Sequence, residues 1–174
     1  MKERINALET ALKNEKAERD FYIKHAEMTK NLFGKRLFER IAREEAEHME
    51  SIGKLHEQWK TEAKWPATLP LTVQGTEVRT LIKEMRKQAA GIPAGTDDDL
   101  KAVRTALDFE AKGRDFYAAL RDLSQDKKEK DFFDLLSRIE NDHFLSLKET
   151  EEFLVDPAAW YRKRETSGWL DGGA

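Results

Sequence analysis

Cysteine is absent from the 174-residue chain. That excludes disulfides, thiolate zinc sites, cysteine-ligated iron–sulfur centres and a catalytic thiol. Proline is scarce: the four, Pro66, Pro70, Pro93 and Pro157, all avoid the long periodic segments. No apolar run is long enough for a membrane span or a signal-peptide core. Neither sign of charge dominates, with 31 Lys and Arg against 34 Asp and Glu and a formal net charge of −3. This balance offers no electrostatic case for nucleic acid or an anionic membrane as partner. A soluble, cytoplasmic protein is expected. What the chain has in abundance is charge of both signs, 37% of its residues, interleaved as on solvated helix faces. Its length suits one domain with a sizeable core.

Apolar periodicity predicts four long helices, over about residues 2–30, 35–60, 97–123 and 127–154. The first two would each be roughly 40 Å long at 1.5 Å per residue. Asn31-Leu-Phe-Gly34 and Ser124-Gln-Asp126 are read as turns. Trp65-Pro-Ala-Thr-Leu-Pro70 breaks the pattern. A short helix is expected over about 76–89, with Val78, Leu81, Ile82 and Met85 on one face. Thr96-Asp-Asp-Asp99 is a strong helix start, because short side-chain oxygens cap free amides and acids favour the N-terminal dipole. Val155-Asp-Pro157 stops the last long helix. Residues 156–174, with Trp160, Tyr161 and Trp169, are read as a tail. The expected fold is all-α: an antiparallel four-helix bundle over 1–155, built of two helical hairpins and a crossover, residues 61–96, that contains the short helix.

Two polar pairs lie where apolar residues belong. Leu37, Ile41, Glu45, His48, Ile52, Leu55 and Trp59 follow heptad-like spacing, so Glu45 and His48 point into the bundle. Phe133, Leu136, Glu140, His143, Leu147, Thr150 and Leu154 repeat the form. Residues three apart share a helix face, so each Glu-x-x-His can reach one space. The first helix carries Glu15 in its stripe (Ile5, Leu8, Leu12, Glu15, Tyr22, Ala26). The third carries Glu110 (Leu100, Val103, Leu107, Glu110, Tyr117).

The halves match at one offset. Glu15 and Glu110 lie 95 positions apart (110 − 15). The same offset relates Phe21 to Phe116, Tyr22 to Tyr117, Glu45 to Glu140 and His48 to His143. This reads as an internal repeat of a helical hairpin. The midpoint between Glu15 and Glu45/His48 falls in the first turn, and that between Glu110 and Glu140/His143 in the second. Folding at those turns sets each lone Glu level with its Glu-x-x-His. Packing the hairpins face to face then gathers four carboxylates and two imidazoles in one layer.

Charges in a core are costly unless paired or bound to metal. Four carboxylates balance two divalent cations. Each ion would take one imidazole, one terminal carboxylate and a share of two bridging ones. The mixed oxygen and nitrogen donors suit iron or manganese, with zinc an alternative. Two iron ions are the expected cofactors.

The pieces Glu15-x6-Tyr22, Glu45-Ala-Glu-His48, Glu110-x6-Tyr117 and Glu140-Asn-Asp-His143 closely resemble the rubrerythrin family of the ferritin-like superfamily. The resemblance spans about residues 3–155. It implies a ferritin-like bundle with a di-iron centre, Glu45 and Glu140 bridging and Glu15 and Glu110 terminal. It also implies a non-haem peroxidase or oxidoreductase that reduces hydrogen peroxide or dioxygen, and a homodimer is the expected assembly. The alternatives are a ferroxidase or iron-handling protein and a non-catalytic metal-binding interaction module. Rubrerythrins usually carry a rubredoxin-like site of four cysteines. With none here, electrons are expected from an external donor such as a rubredoxin-like protein. Rubrerythrins also tend to have an extra Glu three residues after the third-helix ligand. Here that position is Gly113, and its equivalent in the first helix is Glu18, a candidate seventh ligand.

Around the ligands, Tyr22 and Tyr117 are expected to hydrogen-bond ligand carboxylates and so help bind the cofactor. Asp142 and Glu47, each just before a ligand His, are candidates to orient a ring nitrogen, against simple solvation. His25 and His56 are read as surface or packing residues. Trp59, Trp65, Trp160 and Trp169 are read as closing the bundle ends or forming an oligomer contact.

Overall fold

The computed structural model describes residues 2–62, 75–88 and 91–168, which are all-helical with no strand. The helices are α1 (Lys2–Met28), α2 (Leu32–Glu62), α3 (Val78–Gln88), α4 (Asp97–Leu123), α5 (Lys127–Val155) and α6 (Pro157–Gly168). Trp65 and Trp169 lie outside the described residues.

Contacts define how the helices run. Between α1 and α2, Glu9 meets His56 and Glu15 meets His48. Between α4 and α5, Arg104 meets Glu151 and Arg121 meets Asp134. In both pairs one number rises as the other falls, so the helices are antiparallel. Across the pairs the sense is again opposed: Tyr22 meets Glu110 and Glu15 meets Tyr117 between α1 and α4, and Phe33 meets Phe153 and Glu44 meets His143 between α2 and α5.

Local chemistry sets the boundaries. The Asn31 Oδ1 accepts hydrogen bonds from the amides of Phe33 and Gly34 at 3.0 and 3.1 Å. Asn31 thus caps α2, and Leu32, Phe33 and Gly34 belong to the helix rather than to the turn expected there. Thr96 and Asp99 form a reciprocal capping box at the start of α4. Asp126 caps α5 through the amides of Lys128 and Glu129.

The expected tail is corrected from its first residues. α5 ends at Val155 as expected, and Pro157 then opens α6, since proline at a helix's first position loses no hydrogen bond. The Asp156 Oδ1 accepts the Ala159 amide at 2.9 Å. Trp160, 2% exposed, then packs edge-on against Phe33 and Phe153.

Two apolar clusters fill the bundle. One joins Phe33, Leu37, Phe38, Val103, Phe153 and Trp160 to Val78, Ile82 and Met85 of α3. The other holds Leu8, Ile52, Leu55, Trp59, Phe132 and Leu136. Burying each such side chain contributes about 1.5–3 kcal/mol. The crossover is drawn against α5 at Gly95. Its amide donates to the Leu154 carbonyl at 2.8 Å, and a Cβ there would lie 2.9 Å from the Leu154 Cβ.

Candidate metal centre

Between the two clusters lies a polar layer. Glu45, Glu110, Glu140 and His143 are each 0% exposed, and Glu15 and His48 are 1% exposed. Each projects from the apolar stripe of a different part of the bundle: Glu15 from α1, Glu45 and His48 from α2, Glu110 from α4, Glu140 and His143 from α5. Their ligand atoms form two overlapping groups. Glu15, Glu45, His48 and Glu140 make one, and Glu45, Glu110, Glu140 and His143 the other, with the atoms of each group within 4.8 Å of one another. Glu45 and Glu140 belong to both.

The imidazoles aim the same nitrogen inward. The Nδ1 of His48 lies 3.0 Å from Glu15 and from Glu45, and 3.6 Å from Glu140. The Nδ1 of His143 lies 3.2 Å from Glu45 and 3.3 Å from Glu110. The two rings are nearly parallel, with centroids 6.0 Å apart.

Tyrosines cross between the halves. Tyr22 of α1 donates to Glu110 of α4, and Tyr117 of α4 donates to Glu15 of α1. Tyr22 lies in one apolar cluster and Tyr117 in the other. Each hydroxyl fixes one carboxylate and leaves its other oxygen to face the layer.

Buried polar atoms are normally satisfied. Among the described residues, both oxygens of Glu140, Oε1 of Glu45, Oε2 of Glu110 and Nδ1 of His143 have no hydrogen-bond partner. Orphaned donors of these types, converging on two points, are what cations would satisfy. The residue set therefore fits a metal site.

The layer's protonation shows the same strain. Burial first, then the charge of Glu45, pushes Glu15 up from 4.5 to about 8, against His48. Burial opposes charge on Glu45, but the two histidines outweigh it and hold the carboxyl well below its usual range. Burial, then Glu45 and Glu110, drives Glu140 well above the carboxylate range. Burial works against the His48 cation, yet Glu45 and Glu15 lift it to about 10.

Glu18 is 7% exposed, so it is not a solvated surface residue. Burial raises its pKa, and the charges that act on it most are Glu45 and Glu110. It stands outside both ligand groups. Gly113, its counterpart, leaves room for Glu140: a Cβ there would lie 3.2 Å from Oε2.

The group that orients a histidine is Glu44. Its Oε2 accepts from the His143 Nε2 at 2.8 Å. Its Oε1 accepts from the Arg40 Nε and the Glu77 amide, both at 3.0 Å. The candidates for this task fail. Asp142 pairs with Arg79, and Glu47 is exposed. Glu44 and His48 lie one turn apart on the inward face of α2, whereas Glu47 is rotated away. An acid at the inward edge of the stripe, four residues after an arginine, was the available signal. His56 is buried between Glu9 and Glu57 at 3.2 and 3.4 Å, and His25 packs on Phe21.

A family model described as Rubrerythrin matches residues 6–151. Comparison with curated proteins and with solved structures gave no match.

Proposed function

We propose, because the chain belongs to the rubrerythrin family and encloses carboxylate and imidazole atoms that no hydrogen bond among the described residues satisfies, that it is a non-haem di-iron oxidoreductase reducing hydrogen peroxide or dioxygen. Its electrons come from an external donor such as a rubredoxin-like protein. Those orphaned atoms of Glu45, Glu110, Glu140 and His143 are the observation that carries the reading. Glu15, Glu45, His48 and Glu140 would hold one ion; Glu45, Glu110, Glu140 and His143 the other. Manganese and zinc are the alternative metals.

Two iron ions would supply both electrons that one peroxide needs, so that H2O2, two electrons and two protons give two waters without a free radical. The chain's own part is to hold and to exclude. Tyr22 and Tyr117 fix Glu110 and Glu15, and Glu44 fixes His143. The apolar clusters on either side keep bulk water from the layer, which strengthens every charge interaction within it. Glu18, buried but outside both groups, would be the additional carboxylate, a seventh ligand. The same proposal includes an origin by hairpin duplication, a homodimer and a cytoplasmic setting. Among the described residues, no helix is long and apolar enough to cross a membrane.

Rapid mixing of the reduced, iron-loaded protein with peroxide or dioxygen tests the reading. Oxidation should be faster with peroxide, and Glu18→Ala should alter its rate while two irons stay bound. Dioxygen reacting as fast as peroxide would remove the peroxidase label. Uptake of many irons per chain would favour iron handling instead.

A further inference from the structure

We propose that the two metal positions are unequal, and that the one built on His143 fills first and binds more tightly, because Glu44 anchors that imidazole from behind. This rests on the metal-centre reading above.

The asymmetry is local and specific. The Glu44 carboxylate accepts from the His143 Nε2 at 2.8 Å, which leaves Nδ1 as the atom that faces Glu45 and Glu110. An imidazole so held has its tautomer and ring plane set before a cation arrives, and is the more basic ligand. Glu44 is itself pinned. Arg40 and the backbone amide of Glu77 hold its other oxygen, and it is 5% exposed. The anchor therefore ties the layer to the residue that precedes α3.

Among the described residues, no carboxylate holds the outer nitrogen of His48 in this way. The residue 95 positions after Glu44 is Ile139, a core residue 2% exposed. Among the described residues, the carboxylates within ion-pair distance of His48 are Glu15, Glu45 and Glu140, all on its Nδ1. The repeat that equalises the six ligands fails one position before the bridging glutamate. The His143 position thus carries an extra carboxylate behind its imidazole, and the His48 position does not.

Titration of the metal-stripped full chain with cobalt(II), followed by visible absorption and calorimetry, tests the order. Two steps are expected. His143→Ala should weaken the first step, whereas His48→Ala should spare it and weaken the second. Glu44→Gln should weaken the first step roughly 10- to 100-fold, with helix content unchanged by circular dichroism. The histidine variants carry the test independently should Glu44→Gln fold poorly. Two ions binding with equal affinity, a first step lost in His48→Ala but not in His143→Ala, or no effect of a folded Glu44→Gln would each overturn the proposal while leaving the metal centre standing. Failure of the unmodified chain to bind cobalt at all would sink both.

Discussion

Glu140→Gln should strip the protein of most of its metal and yet leave the metal-free protein about as stable as before. Glu140 serves both ligand groups, so its loss weakens both positions at once. A ligand present at 1,000 times its Kd adds about 4 kcal/mol to stability. For a chain of this size that corresponds to roughly 10 °C in Tm. The variant should lose that increment. Without metal the balance differs. Burial and the neighbouring acids push Glu140 well above the carboxylate range, and neither of its oxygens has a hydrogen-bond partner among the described residues. A neutral amide replaces a neutral acid, and little changes. Glu45→Gln provides the contrast. The metal-free protein keeps Glu45 ionised between His48 and His143, so its removal leaves two buried imidazoles short of an anion. It should lower Tm with and without metal. Calorimetric scans of both variants in both states check the pair. Equal losses in the metal-free state would contradict the assignment.

Metal-free protein should lose stability steadily from about pH 4.5 to about pH 10, and added metal should restore more at the alkaline end. The sign follows from two groups. Glu15 is raised from 4.5 to about 8, by burial first and then by Glu45. The stability linked to its proton is complete below 4.5 and is lost as pH rises through about 8. His48 is raised from 6.5 to about 10, because Glu45 and Glu15 outweigh its burial. Its contribution is complete below 6.5 and disappears as pH rises through about 10. Both losses run in one direction. Glu45, held below its usual range, acts oppositely and limits stability only on acidification. Cations displace the same protons, so the gap in Tm between loaded and metal-free protein should widen as pH rises. A constant gap would mean that metal does not bind at these residues.

Much of this centre was legible because charge in an apolar stripe is conspicuous. Glu45, His48, Glu140 and His143 each interrupt a run of core residues, and their common offset of 95 positions places them in one layer. What escaped was local or required a third dimension. Asn31 reads as a turn residue, but its side chain caps a helix that starts at the next position. Pro157 reads as a stop, and α5 does end at Val155, but the same proline also opens α6. Glu44 sits in an Arg-Glu-Glu run that resembles a solvated face. Its partner, His143, lies 99 residues away on α5, and neither spacing nor the repeat could point to it, since Ile139 breaks the correspondence. Glu18 was ambiguous for a similar reason. A helix position three residues from a ligand can face inward or sideways, and only packing of α1 against the other helices buried it.

The most direct test is elemental analysis of the full chain after anaerobic loading with iron(II) and gel filtration, beside Glu140→Gln treated identically. Two irons retained per unmodified chain and fewer than one in the variant is the result expected. A folded chain that emerges without iron, its Glu15, Glu45, Glu110 and Glu140 still enclosed, would contradict the claim that cations are what this interior is built to hold.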